Sequence, residues 1–140
     1  MIKNSIYSCL WCPNNAIEMA HYYVDVFTNA KILSENPMVV NIEINNTIFM
    51  LLNGAESPFS VANSYVIECD TQEEIDHYWN KLGYKGQYKN CGWLEDQFGV
   101  SWQIVPKILG ELMNDQTKSS RVIEAFLKMQ KFDIQQLIDA

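Results

Sequence analysis

Gln103 is the residue of this sequence best placed to meet a small molecule. It lies in Cys91 to Pro106, CGWLEDQFGVSWQIVP, where two apolar runs flank the polar turn Glu95-Asp96-Gln97-Phe98-Gly99. That pattern predicts a β-hairpin. In the second arm Val100, Trp102 and Ile104 point one way, and Ser101, Gln103 and Val105 point the other. Trp102 and Ile104 are bulky enough to sit beneath a helix. Gln103 then faces the side where a concave sheet would hold a ligand. A neutral amide can orient a ligand by hydrogen bonds, but it makes a poor metal ligand.

Other chemistry finds less support. Cys9-Leu-Trp-Cys12 has redox-motif spacing, yet on a strand an offset of three puts the thiols on opposite faces. Cys69 and Cys91 form no second close pair, which weakens a zinc reading. All four cysteines are expected to be structural and reduced. His21 and His77 both fall on predicted helices, and no Ser-His-Asp or Cys-His spacing is present. No catalytic residue is therefore assigned.

The totals bound the class. The chain has 140 residues, enough for one ordinary domain with a sizeable core. Apolar residues make up 48% and charged residues 19%, a globular balance. The net charge of −7 comes without a Lys/Arg cluster, which argues against nucleic-acid binding. No apolar stretch approaches the ~18 residues needed to span a bilayer, so no membrane role is expected. Met1-Ile-Lys-Asn-Ser lacks a signal-peptide core, and the expected location is the cytoplasm.

Two similar runs of elements must position these residues. Ser5 to Trp11 reads as a strand ended by Cys12-Pro13-Asn14-Asn15. Asn15 and Glu18 have capping-box spacing and open a helix to about Phe27, with Ala16, Ala20, Tyr23, Val24 and Phe27 as its buried stripe. Lys31 to Ser34 is a short strand. Val39 to Ile44 and Thr47 to Leu52 form a hairpin through Asn45-Asn46, residues suited to positive φ. Asn53 to Pro58 is a polar linker.

The order then recurs. Ser64 to Cys69 is a strand, and Asp70 or Thr71 caps the next helix, with Thr71-x-x-Glu74 as a capping box; that helix buries Ile75, Tyr78, Trp79 and Leu82. Gly83 is expected to end that helix as a C-cap glycine. Two or three strands follow, the last being Val100 to Val105. Phe49-Met50-Leu51-Leu52 in the first half matches Trp102-Gln103-Ile104-Val105 in the second. The tail after Pro106 is helical. Thr117 or Ser119 is expected to cap a helix with Val122, Ile123, Phe126, Leu127 and Met129 on its apolar side. Asp133 opens a last turn with Ile134, Leu137 and Ile138.

Two strand-helix-three-strand modules are the build of the vicinal oxygen chelate superfamily, which includes glyoxalase I, bleomycin-resistance proteins and extradiol dioxygenases. The chain resembles its PhnB-like, or demethylubiquinone methyltransferase-like, branch. That resemblance rests on Glu73-Glu74-Ile75-Asp76-His77-Tyr78-Trp79, Cys91-Gly92-Trp93-Leu94, Phe98 to Pro106 (FGVSWQIVP) and Ala125-Phe126-Leu127-Lys128-Met129. It implies an α+β fold in which two βαβββ modules, about residues 1–53 and 59–106, form a curved mixed sheet followed by a helical tail, 107–140. All of it is read as one vicinal oxygen chelate domain. Ser34 to Val39 looks shorter than the family usually carries, which implies a more open pocket.

The resemblance also implies stations for a divalent metal, held by His and Glu or Gln on the first and last strands of each module. Here the first strand offers Tyr7, Ser8, Cys9 and Leu10, and the fifth offers Asn63, Ser64 and Tyr65. Met50 takes the station that Gln103 takes in the second module. Only Gln103 could ligate, so no metal and no cofactor are expected. Glu43 and Glu68 match no station and read as solvated or edge carboxylates. A methyltransferase activity is not expected either, because the glycines at 54, 83, 86, 92, 99 and 110 form no nucleotide-binding cluster.

The expected function is binding of a small, partly apolar molecule on a concave sheet lined by Met50, Leu52, Trp93, Gln103 and Val105. The alternative is a metal-dependent lyase, isomerase or dioxygenase of the same superfamily. The apolar tail carries Val122, Phe126, Met129, Ile134, Leu137 and Ile138, and it predicts a homodimer.

Overall fold

In the computed structural model, which describes residues 4–140, the chain divides into two units at Pro58/Phe59. Met1 to Lys3, part of the N-terminal stretch read above, lie outside the described residues.

Unit 1 runs β1 (Ser8–Cys12), α1 (Ala16–Val26), β2 (Ala30–Glu35), β3 (Val39–Ile44) and β4 (Thr47–Asn53). Its sheet has the order β1-β4-β3-β2, with β1 parallel to β4 and the other pairs antiparallel. Alternation sends Leu10, Cys12, Val40, Ile42, Phe49 and Leu51 into the core, where α1 covers them. The β3–β4 turn has φ of 51° at Asn45 and 67° at Asn46, the paired positive values that a two-residue hairpin turn requires.

Three details of unit 1 depart from the sequence reading. β1 starts at Ser8 rather than Ser5. The side chain of Asn15 does not cap α1. Instead Asn53 Oδ1, at the end of β4, accepts a hydrogen bond from Ala16 N at 2.9 Å. A residue 37 positions away thus supplies the cap, which local spacing cannot reveal. The buried stripe also shifts: Met19 and Val26 are buried, while Val24 is half-buried.

Unit 2 runs β5 (Tyr65–Cys69), α2 (Gln72–Gly83), β6 (Gln87–Tyr88), β7 (Trp93–Glu95) and β8 (Ser101–Pro106). Three short helices follow, α3 (Leu109–Asn114), α4 (Ser119–Phe126) and α5 (Ile134–Asp139). The sheet order is β5-β8-β7-β6, the same topology as unit 1. The α+β architecture of two βαβββ modules with C-terminal helices is therefore present, with one four-stranded mixed sheet in each unit.

Of the two candidate caps, Thr71 rather than Asp70 is the N-cap of α2, with Thr71 Oγ1 accepting from Glu74 N at 3.2 Å. Gly83, however, is the last helical residue, and the positive φ falls on Lys85 at 59°. Gly83 is needed for a different reason. A Cβ there would lie 2.1 Å from the ring of Tyr88, which stacks on Trp79 at 4.7 Å. Tyr78 is half-buried, whereas Ile75, Trp79 and Leu82 form the buried stripe.

The tail closes on unit 2 through its backbone. Cys91 N donates to Met129 O and Gly92 N to Gln130 O, each at 2.8 Å. Gln72 bridges from α2, its Nε2 donating to Phe132 O and its Oε1 accepting from Ile134 N, both at 2.9 Å. Lys131 pairs with Asp76 at 2.9 Å, and that bond, helped by Gln72, holds the Asp76 carboxyl below its usual range. Val122, Phe132 and Leu137 are buried, but Leu127 is exposed. The broad apolar side read for α4 is therefore narrower than its sequence suggests. Neither Thr117 nor Ser119 caps α4, because Thr117 instead donates to Asp115. Asp133 does cap α5, accepting from Gln136 N.

Among the described residues, no helix is long and apolar enough to cross a membrane.

Candidate functional site

The face of each sheet turned away from its helix carries the residues singled out above. In unit 2, β5 pairs Val66 with Gln103 and Glu68 with Val105, while β7 pairs Trp93 with Gln103 and Glu95 with Ser101. Alternation puts all of these on one face, with Trp102, Ile104 and Leu94 buried on the other. The strand facing expected for Gln103 is the one observed. In unit 1 the equivalent row is Cys9, Met50 and Asn41, followed by Trp11, Leu52 and Val39. Met50, Leu52, Trp93, Gln103 and Val105 are each half-buried, neither core nor free surface.

Register makes Met50 and Gln103 equivalent positions of their own sheets, since Cys9 and Val66 are their respective parallel neighbours. The chemistry of the two positions differs sharply. Met50 offers a thioether among Cys9 and Asn41. Gln103 donates from Nε2 to Ser64 Oγ at 2.9 Å, which fixes its rotamer and leaves Oε1 as an open acceptor.

The hairpin that positions Gln103 is built on a residue the sequence showed only as a polar turn. Asp96 is 3% exposed. Its Oδ1 accepts from Phe98 N at 2.9 Å and Val100 N at 3.0 Å, and its Oδ2 accepts from Trp102 Nε1 at 3.0 Å. The turn closes through Gly99 N to Asp96 O, with Gly99 at φ 89°. An aspartate whose side chain bonds main-chain N–H groups ahead of it, with a glycine at the fourth turn position, was the available signal.

A metal of the kind the superfamily uses does not fit these donors. By that register the stations hold Cys9 and Met50 in unit 1 and Val66 and Gln103 in unit 2, with Ser64 just before the start of β5. None carries a charge at neutral pH, and the amide of Gln103 is already bonded to Ser64. Among the described residues, no group of three or more His, Cys, Asp or Glu side chains is arranged to hold a metal ion. His21 is exposed on α1, and His77 lies on α2 edge-on to Tyr78. Glu43 pairs with Lys31 at 3.5 Å, and Glu68 is exposed.

The two buried thiols, Cys12 and Cys69, are unsuited to nucleophilic work. All four cysteines are free, with Cys9 exposed and Cys12 buried on opposite faces of β1. Burial pushes Cys12 up to about 11 and Cys69 up to about 12, so neither supplies a thiolate at neutral pH.

Residues 4–105 match the model of the family described as 3-demethylubiquinone-9 3-methyltransferase. The match stops short of the tail, although Ala125 to Met129 suggested a resemblance reaching that far. No curated protein matches the chain. Among solved structures, the PhnB protein from Bacillus cereus is similar at 26% identity and a TM-score of 0.67, covering 74% of this chain and 99% of its own. The protein PA1353 from Pseudomonas aeruginosa is similar at 16% identity and a TM-score of 0.63, covering 74% and 98%. The fosfomycin resistance protein FosX from Listeria monocytogenes, complexed with Mn(II) and sulfate, shares 12% identity at a TM-score of 0.56, covering 74% and 90%. The last two similarities concern the fold alone.

Proposed function

Because the chain belongs to the 3-demethylubiquinone-9 3-methyltransferase family, the PhnB-like branch of the vicinal oxygen chelate superfamily, we propose that it binds a small, partly apolar molecule without the superfamily's metal. The observation that carries this reading is the bond between Gln103 and Ser64. Gln103, which would have to turn toward a cation, is instead held by Ser64, and an oriented amide oxygen remains for a ligand. Trp93 and Val105 on the same face supply apolar contact, and Met50 and Leu52 occupy the corresponding face of unit 1. The activity in the family's name has no support from the glycines, since Gly54, Gly92 and Gly99 occupy separate turns at positive φ. The reading places the protein in the cytoplasm, in keeping with its four free thiols.

Titration calorimetry with a panel of planar aromatic compounds tests the function. The Gln103→Ala variant is expected to lose about 5- to 10-fold in affinity, the worth of roughly one hydrogen bond, while its melting temperature stays within a degree or two. No binding by the wild type below millimolar concentration would remove the proposal.

The same reading includes a homodimer. Ile138 and Leu127 remain 37% and 59% exposed on the tail, although Val122, Met129 and Leu137 are consumed within unit 2. Light scattering at micromolar concentration is expected to give twice the 16.2 kDa chain mass, and the monomer value would exclude the dimer.

A further inference from the structure

Ser101 holds an unmet hydrogen-bonding group on the face that carries Gln103. The residue is 2% exposed, and its Oγ has no hydrogen-bond partner among the described residues. Burying a hydroxyl unpaired lowers stability, and alanine would fill the same place on a strand without that loss. An orphan hydroxyl retained at such a site is explained when something else completes it. The β7–β8 register puts Ser101 opposite Glu95 and one strand repeat from Gln103, about 6.5–7 Å along the face.

The charges around it restrict what that partner can be. The positions of β5, β7 and β8 on this face are Val66, Glu68, Trp93, Glu95, Ser101, Gln103 and Val105, which include two carboxylates and no basic residue. The nearby Lys89 is held by Glu95 at 3.0 Å, so its charge is already matched. Gln103 Oε1 and the carboxylate oxygens only accept hydrogen bonds, while Ser101 Oγ can accept or donate. With Glu95 matched by Lys89, Glu68 remains without an ion-pair partner among the described residues, so an anion brought to this face would meet one unmatched like charge.

We infer that Ser101 is a second anchor for the ligand, and that the ligand is an uncharged or cationic molecule presenting a hydroxyl or amino group beside an apolar ring. The inference rests on the ligand-binding reading above, and it adds the anchor and the sign of charge. Benzyl alcohol, benzylamine and benzoate share one ring and differ only in that group. Titrating each into ¹⁵N-labelled protein, and following the Trp93 indole and Gln103 side-chain signals, measures all three affinities.

Benzyl alcohol and benzylamine are expected to bind at least roughly 10-fold more tightly than benzoate, the ratio equivalent to one charge-sensitive contact. Ser101→Ala is expected to weaken both about 5- to 10-fold, yet to raise the melting temperature of the free protein by about 3–8 °C. A serine with a purely structural role would show the opposite thermal shift, and a lowered melting temperature would overturn the anchor. Equal or tighter binding of benzoate would overturn the charge assignment. If the probes bind and Ser101→Ala leaves affinity unchanged, the anchor fails while the ligand-binding reading stands. If none of the probes moves the signals of this face, that reading fails together with the inference.

Discussion

Trp102→Ala is expected to destabilise the protein by about 3–5 kcal/mol, a large part of the ~5–15 kcal/mol that holds a typical domain folded. The side chain is 3% exposed in the core of unit 2, with its ring 5.5 Å from that of Tyr65. Cavity formation is only part of the loss. The indole also donates to Asp96 Oδ2, and Asp96 in turn holds the 95–100 turn through Phe98 N and Val100 N. Trp102→Phe separates the contributions, because it keeps most of the volume and removes the donor. That variant is expected to lose about 1.5–3 kcal/mol, the worth of a hydrogen bond to a charged partner. Urea titration followed by circular dichroism measures both. Equal losses for the two variants would mean that packing contributes nothing beyond the Asp96 bond.

Gly92→Ala is expected to cost about 2–5 kcal/mol, from positive-φ strain and overpacking together. Gly92 has φ 79°, and a Cβ there would lie 2.6 Å from both Ile104 O and the ring of Phe132. The backbone of Ile104 cannot retreat without breaking its own bond to Gly92 O. Phe132 can retreat only by leaving the core, where it is 2% exposed. The variant should therefore release the tail from the sheet. Limited proteolysis is expected to cleave between residues 107 and 140 in Gly92→Ala before it does so in the wild type. An unchanged digestion pattern and unchanged stability would show that the tail does not depend on this contact.

Much of the architecture was legible in local pattern. The alternation of Val100 to Val105 assigned Trp102 and Ile104 to the core and Gln103 to the other face, because a strand has a period of two wherever it pairs. Asn45-Asn46 announced its turn through the tolerance of asparagine for positive φ. Thr71 and Glu74 announced the start of α2, since capping joins atoms only three residues apart. These features are short-range, so sequence neighbours suffice to determine them.

The remainder depended on which distant residues the fold brings together. Asn15 had the right spacing for a cap, but Asn53 reaches Ala16 N instead, because β4 ends beside the start of α1. Gly83 resembled a C-cap, yet what it provides is space for Tyr88. Asp96 read as solvent-facing turn chemistry and proved to be buried against Trp102. Sequence alternation put Ser101 and Gln103 on the same face of β8. Only the tertiary structure decided that Ser64 satisfies the amide of Gln103 and that nothing among the described residues satisfies Ser101. The physical reason is that a strand's facing follows from its own backbone period, whereas hydrogen-bond satisfaction depends on partners that only folding supplies.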